Sequence, residues 1–170
     1  MKVIIEEYNP VWKYKFLVEK KLLEKSLTEV KAEIHHIGST AIEGLAAKPV
    51  IDIIIGLHNF LNANKQIEKI TELGYTYINT FEDIMPFRRL FIKETDGIRS
   101  HHIHMVEINS EFWIRHLAFR EFLINNPQYK SEYETLKKEL AKKEWKDGNE
   151  YAGAKTEFIQ SIERKALKNI

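Results

Sequence analysis

Three groups of residues in this sequence have types and spacings suited to an oxygen-rich, charged ligand: Gly38-Ser39-Thr40, Asp52, and the pair His102 and His104. A glycine lets the backbone approach a phosphate closely, and Ser and Thr hydroxyls with adjacent N–H groups can bind its oxygens. A plain turn, with Ser39 or Thr40 capping a short helix, would use the same residues. Asp52 interrupts the apolar run "PVIDIII", where a carboxylate must find partners or become protonated. In "RSHHIHMVEI", strict alternation puts His102 and His104 on one strand face and His101 and Glu107 on the other. Two imidazoles two apart, joined by one carboxylate, can hold Zn²⁺, Mn²⁺ or Fe²⁺ from one side. Hydrogen-bonded strand histidines are the plainer alternative. Lys48 stands before Pro49 at the mouth of the Asp52 strand, where the proline favours extended backbone. Arg89, Lys93 and Arg99 lie in or beside the following strands, and Arg89 and Lys93, an even number apart, share a face. Together these four cations are a candidate anion pocket, although a solvated strand face has the same pattern.

The elements that must position these groups are read from periodicity. "NPVWKYKFLVEKKLLEKSL" predicts a helix capped at Asn9, with Pro10 first and Trp12, Phe16, Leu22 and Leu23 on one side. "EIHHI" is a short strand ended by Gly38, and "PVIDIII" is apolar on both faces apart from Asp52, which places it inside a sheet. "NFLNANKQIEKITELG" reads as a helix ending near Gly74, before a strand "YTYI". "RRLFIKE" and "SHHIHMVEI" flank "TDG" and predict a hairpin. From Asn109 the pattern is helical: one helix capped by Asn109 or Ser110 and broken at Pro127, a second with a charged outer face, and a last one over "YAGAKTEFIQSIERKAL". The result is an α+β fold, a small mixed β-sheet with helices packed mainly on one side and a helical C-terminal third.

Composition narrows the function classes. The 170 residues, 44% hydrophobic, suffice for one sizeable core, so a single domain over 1–170 is expected. With 26 Lys+Arg against 25 Asp+Glu, the overall field argues for neither nucleic acid nor membrane as partner, and any anion site must be local. Zero cysteines exclude disulfides and thiolate ligands, and no run has signal-peptide or membrane-spanning length, so a cytoplasmic location is expected. Trp12, Trp113 and Trp145 read as helix anchors, and "LKKELAKKEWK" as a solvated helix face. Walker, dinucleotide and nucleophile-elbow motifs are absent.

The segments "HHIGSTAIEGLAAKPVIDI", "RRLFIKE", "RSHHIHMVE", "LAFREFLINNP" and "AKTEFI", in that order, resemble the GrpB-like family across nearly the whole chain. The resemblance implies a nucleotidyltransferase-type fold. It further implies a metal-dependent nucleotidyl or phosphoryl transferase acting on a small molecule or, alternatively, a non-catalytic module binding a nucleotide or CoA-like anion. A divalent metal, Mg²⁺ or Mn²⁺ with Zn²⁺ as a third choice, comes with the first reading, and a protein partner with the second. The superfamily places two acids two apart on one strand, facing the same way, and a third on a neighbouring strand. Asp52 fits the first place, Ile54 stands at the second, and Glu107 is the candidate third acid. Arg120 and Lys155 match family positions and add candidate cations from the helices. On this reading Asp52→Asn abolishes ion binding, while Ile54→Asp preserves or strengthens it.

Overall fold

Asn9 and Pro10 open helix α1 (Val11–Ser26) as predicted, with the Val11 N–H donating to Asn9 Oδ1 at 3.0 Å. The buried stripe of α1 is Trp12, Phe16, Glu19 and Leu23, the i, i+4, i+7, i+11 row of one helix face. Leu22 is exposed, and Glu19 takes its expected place because Tyr75 Oη and Lys93 Nζ donate to it at 2.8 and 2.9 Å. The chain continues through β1 (Ala32–Ile37), β2 (Ile51–Leu57), α2 (Ala63–Thr71), β3 (Thr76–Ile78), β4 (Arg89–Thr95) and β5 (Ile98–Glu107). Helices α3 (Glu111–Asn125), α4 (Pro127–Ala141), α5 (Gly148–Gly153) and α6 (Thr156–Leu167) form the C-terminal third. The computed structural model describes residues 1–168. None of its helices is long and apolar enough to cross a membrane.

The strands form one mixed sheet in the order β1-β2-β5-β4-β3. Only β2 and β5 run parallel, with Asp52 opposite His102 and Ile54 opposite His104. The predicted β4–β5 hairpin turns at Asp96 and Gly97, both at positive φ, the two-residue geometry that matches strand twist. The odd-numbered Ile51, Ile53 and Ile55 of β2 pack with Ile103 and Met105 beneath α1 and α2. The opposite face carries Asp52, and there Ile37, Ile54 and Val106 pack against Phe112 and Trp113 of α3. Gly56 makes that contact possible, since a Cβ on it would lie 2.4 Å from the Trp113 ring.

The mixed sheet thus carries two helices on one face and four on the other side. Ser110 caps α3, accepting from the Trp113 N–H at 3.4 Å, and Pro127 opens α4. Phe119, Leu123, Tyr133 and Ile162 close a third apolar cluster over Ile42 and Leu45, covering the loop that joins β1 to β2. Two helical expectations change. The last predicted helix is divided in two at Ala154–Lys155. Trp145 lies beyond the end of α4, donating from Nε1 to Leu140 O at 2.9 Å.

Candidate functional site

The site is built where β1 ends and β2 begins. Gly38 turns the chain at φ 72°, and a Cβ there would lie 2.6 Å from Asp52 Oδ2. The Gly-Ser turn and the carboxylate are therefore packed directly on each other. Across the parallel pairing, His102 Nδ1 lies 3.2 Å from Asp52 Oδ1. Asp52, His102 and His104 present one ligand atom each within 4.8 Å of one another. Burial raises the Asp52 carboxyl's pKa, but the His102 hydrogen bond and the electrostatic interactions with His102, His104 and Lys155 outweigh it and hold it below the usual range. Burial holds His104 down at about 3, so its imidazole is neutral, and its Nδ1 accepts from Arg88 Nη1 at 3.4 Å, a contact an ion at that nitrogen would displace.

The donor chemistry fits a divalent ion of borderline character. One carboxylate and two imidazoles suit Zn²⁺, Mn²⁺ or Fe²⁺ better than Mg²⁺, which prefers oxygens. His102 Nε2 is buried without a hydrogen-bond partner, so one nitrogen of the ring is unused by the protein. The second-acid position is closed. Ile54 is 0% exposed and packs with Phe112 and Trp113, so Ile54→Asp would bury an unpaired charge in the core and is not the ion-strengthening change the sequence suggests.

Two small chambers meet at Ser39, Asp52 and Lys155. One, of about 270 Å³, is also lined by Lys48, Lys137 and Tyr151. The other, of about 220 Å³, is lined by His104, His116, Phe119, Tyr133 and Glu163. His116 Nδ1 donates to Phe112 O at 2.7 Å, which leaves Nε2 as the basic nitrogen of that ring. Burial keeps it neutral, at about 4.

Several predicted residues belong elsewhere or have other partners. Thr40 Oγ1 donates to Val50 O at 3.1 Å and therefore accepts from His36 Nε2 at 2.9 Å, so its hydroxyl braces the turn. Glu107 sits at the far end of β5, opposite Leu57, where its carboxylate accepts from the Phe60 N–H at 3.2 Å; it is no third acid. Arg89 and Lys93 do share a face, but it is the face opposite Asp52, where Lys93 pairs with Glu19 and Arg89 with Glu82 and Asn64. Arg99 lies 4.0 Å from Glu94 near the hairpin tip. Arg120 donates to His36 O at 2.8 Å and pairs with Glu121, pinning the end of β1. Of the predicted cations, Lys48 and Lys155 reach Asp52's cleft. Sequence reasoning misses Lys137, which lies in the stretch that reads as a solvated helix face and is 2% exposed. The spacing Tyr133, Lys137, Leu140 follows the buried stripe of α4 and was the available signal.

A family model described as GrpB protein matches residues 2–165. The chain belongs to the GrpB family. The glutamate-rich protein GrpB of Alkalihalophilus pseudofirmus is 36% identical over 164 residues, 94% of this chain and 93% of its own length. YqkA of Bacillus subtilis is 37% identical over 98% of this chain, which spans only 48% of that longer protein. The crystal structure of the conserved protein GrpB from Enterococcus faecalis superposes with TM-score 0.87, 35% identity and 98% coverage of both chains. Cid1, an RNA terminal uridylyl transferase, aligns over 81% of this GrpB-family chain and 43% of its own, with TM-score 0.52 and 16% identity. At that identity the likeness is one of fold, and the fold is nucleotidyltransferase-like.

Proposed function

We propose that the chain is a divalent-ion-dependent transferase that moves a nucleotidyl or phosphoryl group between small molecules. Asp52, His102 and His104 are the ion's ligands in this reading, and the Gly38-Ser39 turn meets the phosphate. The observation that carries it is the convergence of a carboxylate and two imidazoles within 4.8 Å at the Gly-Ser turn of a nucleotidyltransferase-like fold. When bound, the ion would neutralise phosphate charge and align the attacking and leaving oxygens. The chain's own part is to fix the turn through Thr40, hold Asp52 ionised through His102, and exclude water with α3 to α6. With Glu107 distant and Ile54 buried, His116 Nε2, in the chamber that meets Asp52, is the neutral base for an acceptor's proton.

A second reading, a non-catalytic module binding the same kind of anion, is favoured by one specific observation. Ile54 fills the place of the second acid with apolar packing. A direct experiment separates the two. Mn²⁺ is titrated calorimetrically into the protein and into Asp52→Asn, and both are then incubated with nucleoside triphosphates and candidate acceptors under ³¹P NMR. The transferase reading expects Asp52→Asn to weaken Mn²⁺ by at least about tenfold and expects phosphorus signals to change only in the unmodified protein. Ligand binding without any ion dependence or turnover supports the accessory module. Equal Mn²⁺ affinity in both proteins overturns the assignment of the ion ligands.

A further inference from the structure

We infer that the chamber lined by Ser39, Lys48, Lys137, Tyr151 and Lys155 is a subsite for a diphosphate group, with Lys137, Lys155 and the Tyr151 hydroxyl as its donors and Lys48 at its mouth. This deepens the reading above and rests on it for the remainder of the ligand.

The argument begins with charge. Three ammonium groups line one chamber of about 270 Å³ in which Asp52 is the sole acid. Among the described residues none of the three forms an ion pair within 4.0 Å, whereas Lys69, Lys93, Lys138 and Lys142 all do. Burying a cation without a counter-charge is costly, and a bound anion removes that cost. Lys137 is the extreme case. It is 2% exposed, donates to Ala46 O and lies 4.7 Å above the Tyr133 ring, with N–H groups to spare. Its neighbour Glu134 is already engaged, accepting from the Ala46 N–H at 2.9 Å and from Lys138 at 2.8 Å. Burial, with Lys155 adding to it, pulls Lys137 down to about 7, and a bound anion would raise it again.

An independent observation comes from a neutral group. Tyr151 is 5% exposed, lines the chamber, and its hydroxyl is buried without a hydrogen-bond partner. A buried unpaired hydroxyl costs roughly 1–3 kcal/mol, so a ligand oxygen is its natural complement. Lys155 Nζ sits 4.5 Å above the same ring, which fixes ammonium and hydroxyl as neighbours. The volume falls below the roughly 300–1,000 Å³ of pockets that enclose a whole ligand, so the chamber holds the phosphates, beside Asp52, and the rest of the molecule extends out of it.

The test is calorimetry on the intact chain with sodium pyrophosphate in EDTA, compared with Lys137→Met and the milder Tyr151→Phe. Pyrophosphate should bind without any divalent ion and more tightly than inorganic phosphate. Lys137→Met should weaken it by more than about tenfold and Tyr151→Phe by about threefold to tenfold, while Mn²⁺ affinity stays unchanged in both. ADP and dephospho-CoA serve as competing arms, and displacement by one and not the other names the organic portion attached to the diphosphate. Pyrophosphate that fails to bind, or that binds equally to all three proteins, overturns the inference. Loss of Mn²⁺ binding in Asp52→Asn bears on the ion ligands alone, so the two readings fail separately.

Discussion

Gly38 carries two constraints at once, a positive φ and a side-chain position already occupied by Asp52 Oδ2. Gly38→Ala would strain the turn by about 1–3 kcal/mol and push the carboxylate off His102. A lowered melting temperature together with weakened Mn²⁺ binding is the expected outcome; an unchanged Mn²⁺ isotherm would mean that the turn does not position Asp52. His36 gives a pH-dependent counterpart. It is buried, stacked at 4.8 Å on Phe16, and held as the Nε2–H form by Thr40. Burial lowers it to about 4 from an ordinary 6.5, so the unfolded chain takes up this proton first as pH falls. The stability contributed is whole above pH 6.5 and is lost as the pH drops toward 4, on the order of 3 kcal/mol. Urea unfolding across that window should show the loss, and His36→Gln should flatten that part of the profile.

At the scale of elements, the contact between β2 and α3 depends on a missing side chain. Gly56→Ala would place a methyl group 2.4 Å from the Trp113 ring and 2.5 Å from Ile108, and overpacking of this kind costs typically about 1–3 kcal/mol. The urea midpoint should fall while the slope of the transition stays constant. Elements governed by local chemistry were legible in the sequence: the Asn9 start of α1, the Asp96-Gly97 hairpin, the Ser110 cap, and His102 with His104 on a common face, though not that this face is the one Asp52 shares. What was hidden depends on which strands become neighbours. Alternation tells that Arg89 and Lys93 share a face, but only the β4–β5 pairing decides that this face meets Glu19 and not Asp52. Glu107 is disqualified in the same way, by parity and by five residues of strand. Lys137 was hidden for a different reason. A lysine among charged neighbours looks solvated until the partners of its helix are known, and those partners, Ala46 and Tyr133, are one distant and one local.

For the whole molecule, the sheet is shared between two apolar layers, one under α1 and α2 and one under α3. A shared sheet predicts a common unfolding transition for both faces. Two variants, each retaining only Trp12 or only Trp113 with the other tryptophans changed to Phe, should report the same denaturant midpoint by fluorescence. Midpoints that separate would mean that the helical layers detach independently and that the C-terminal third is a lid on a self-sufficient sheet.

The alternation along β2 has one more consequence. Ile51, Ile53 and Ile55 feed one layer while Asp52, one position away, faces the Gly-Ser turn on the other side. Inserting or deleting one residue between Val50 and Asp52 would deliver the carboxylate into the apolar layer beneath α1 and an isoleucine into the cleft. Relatives can therefore drift along this strand by exchanging letters, but not by changing how many there are.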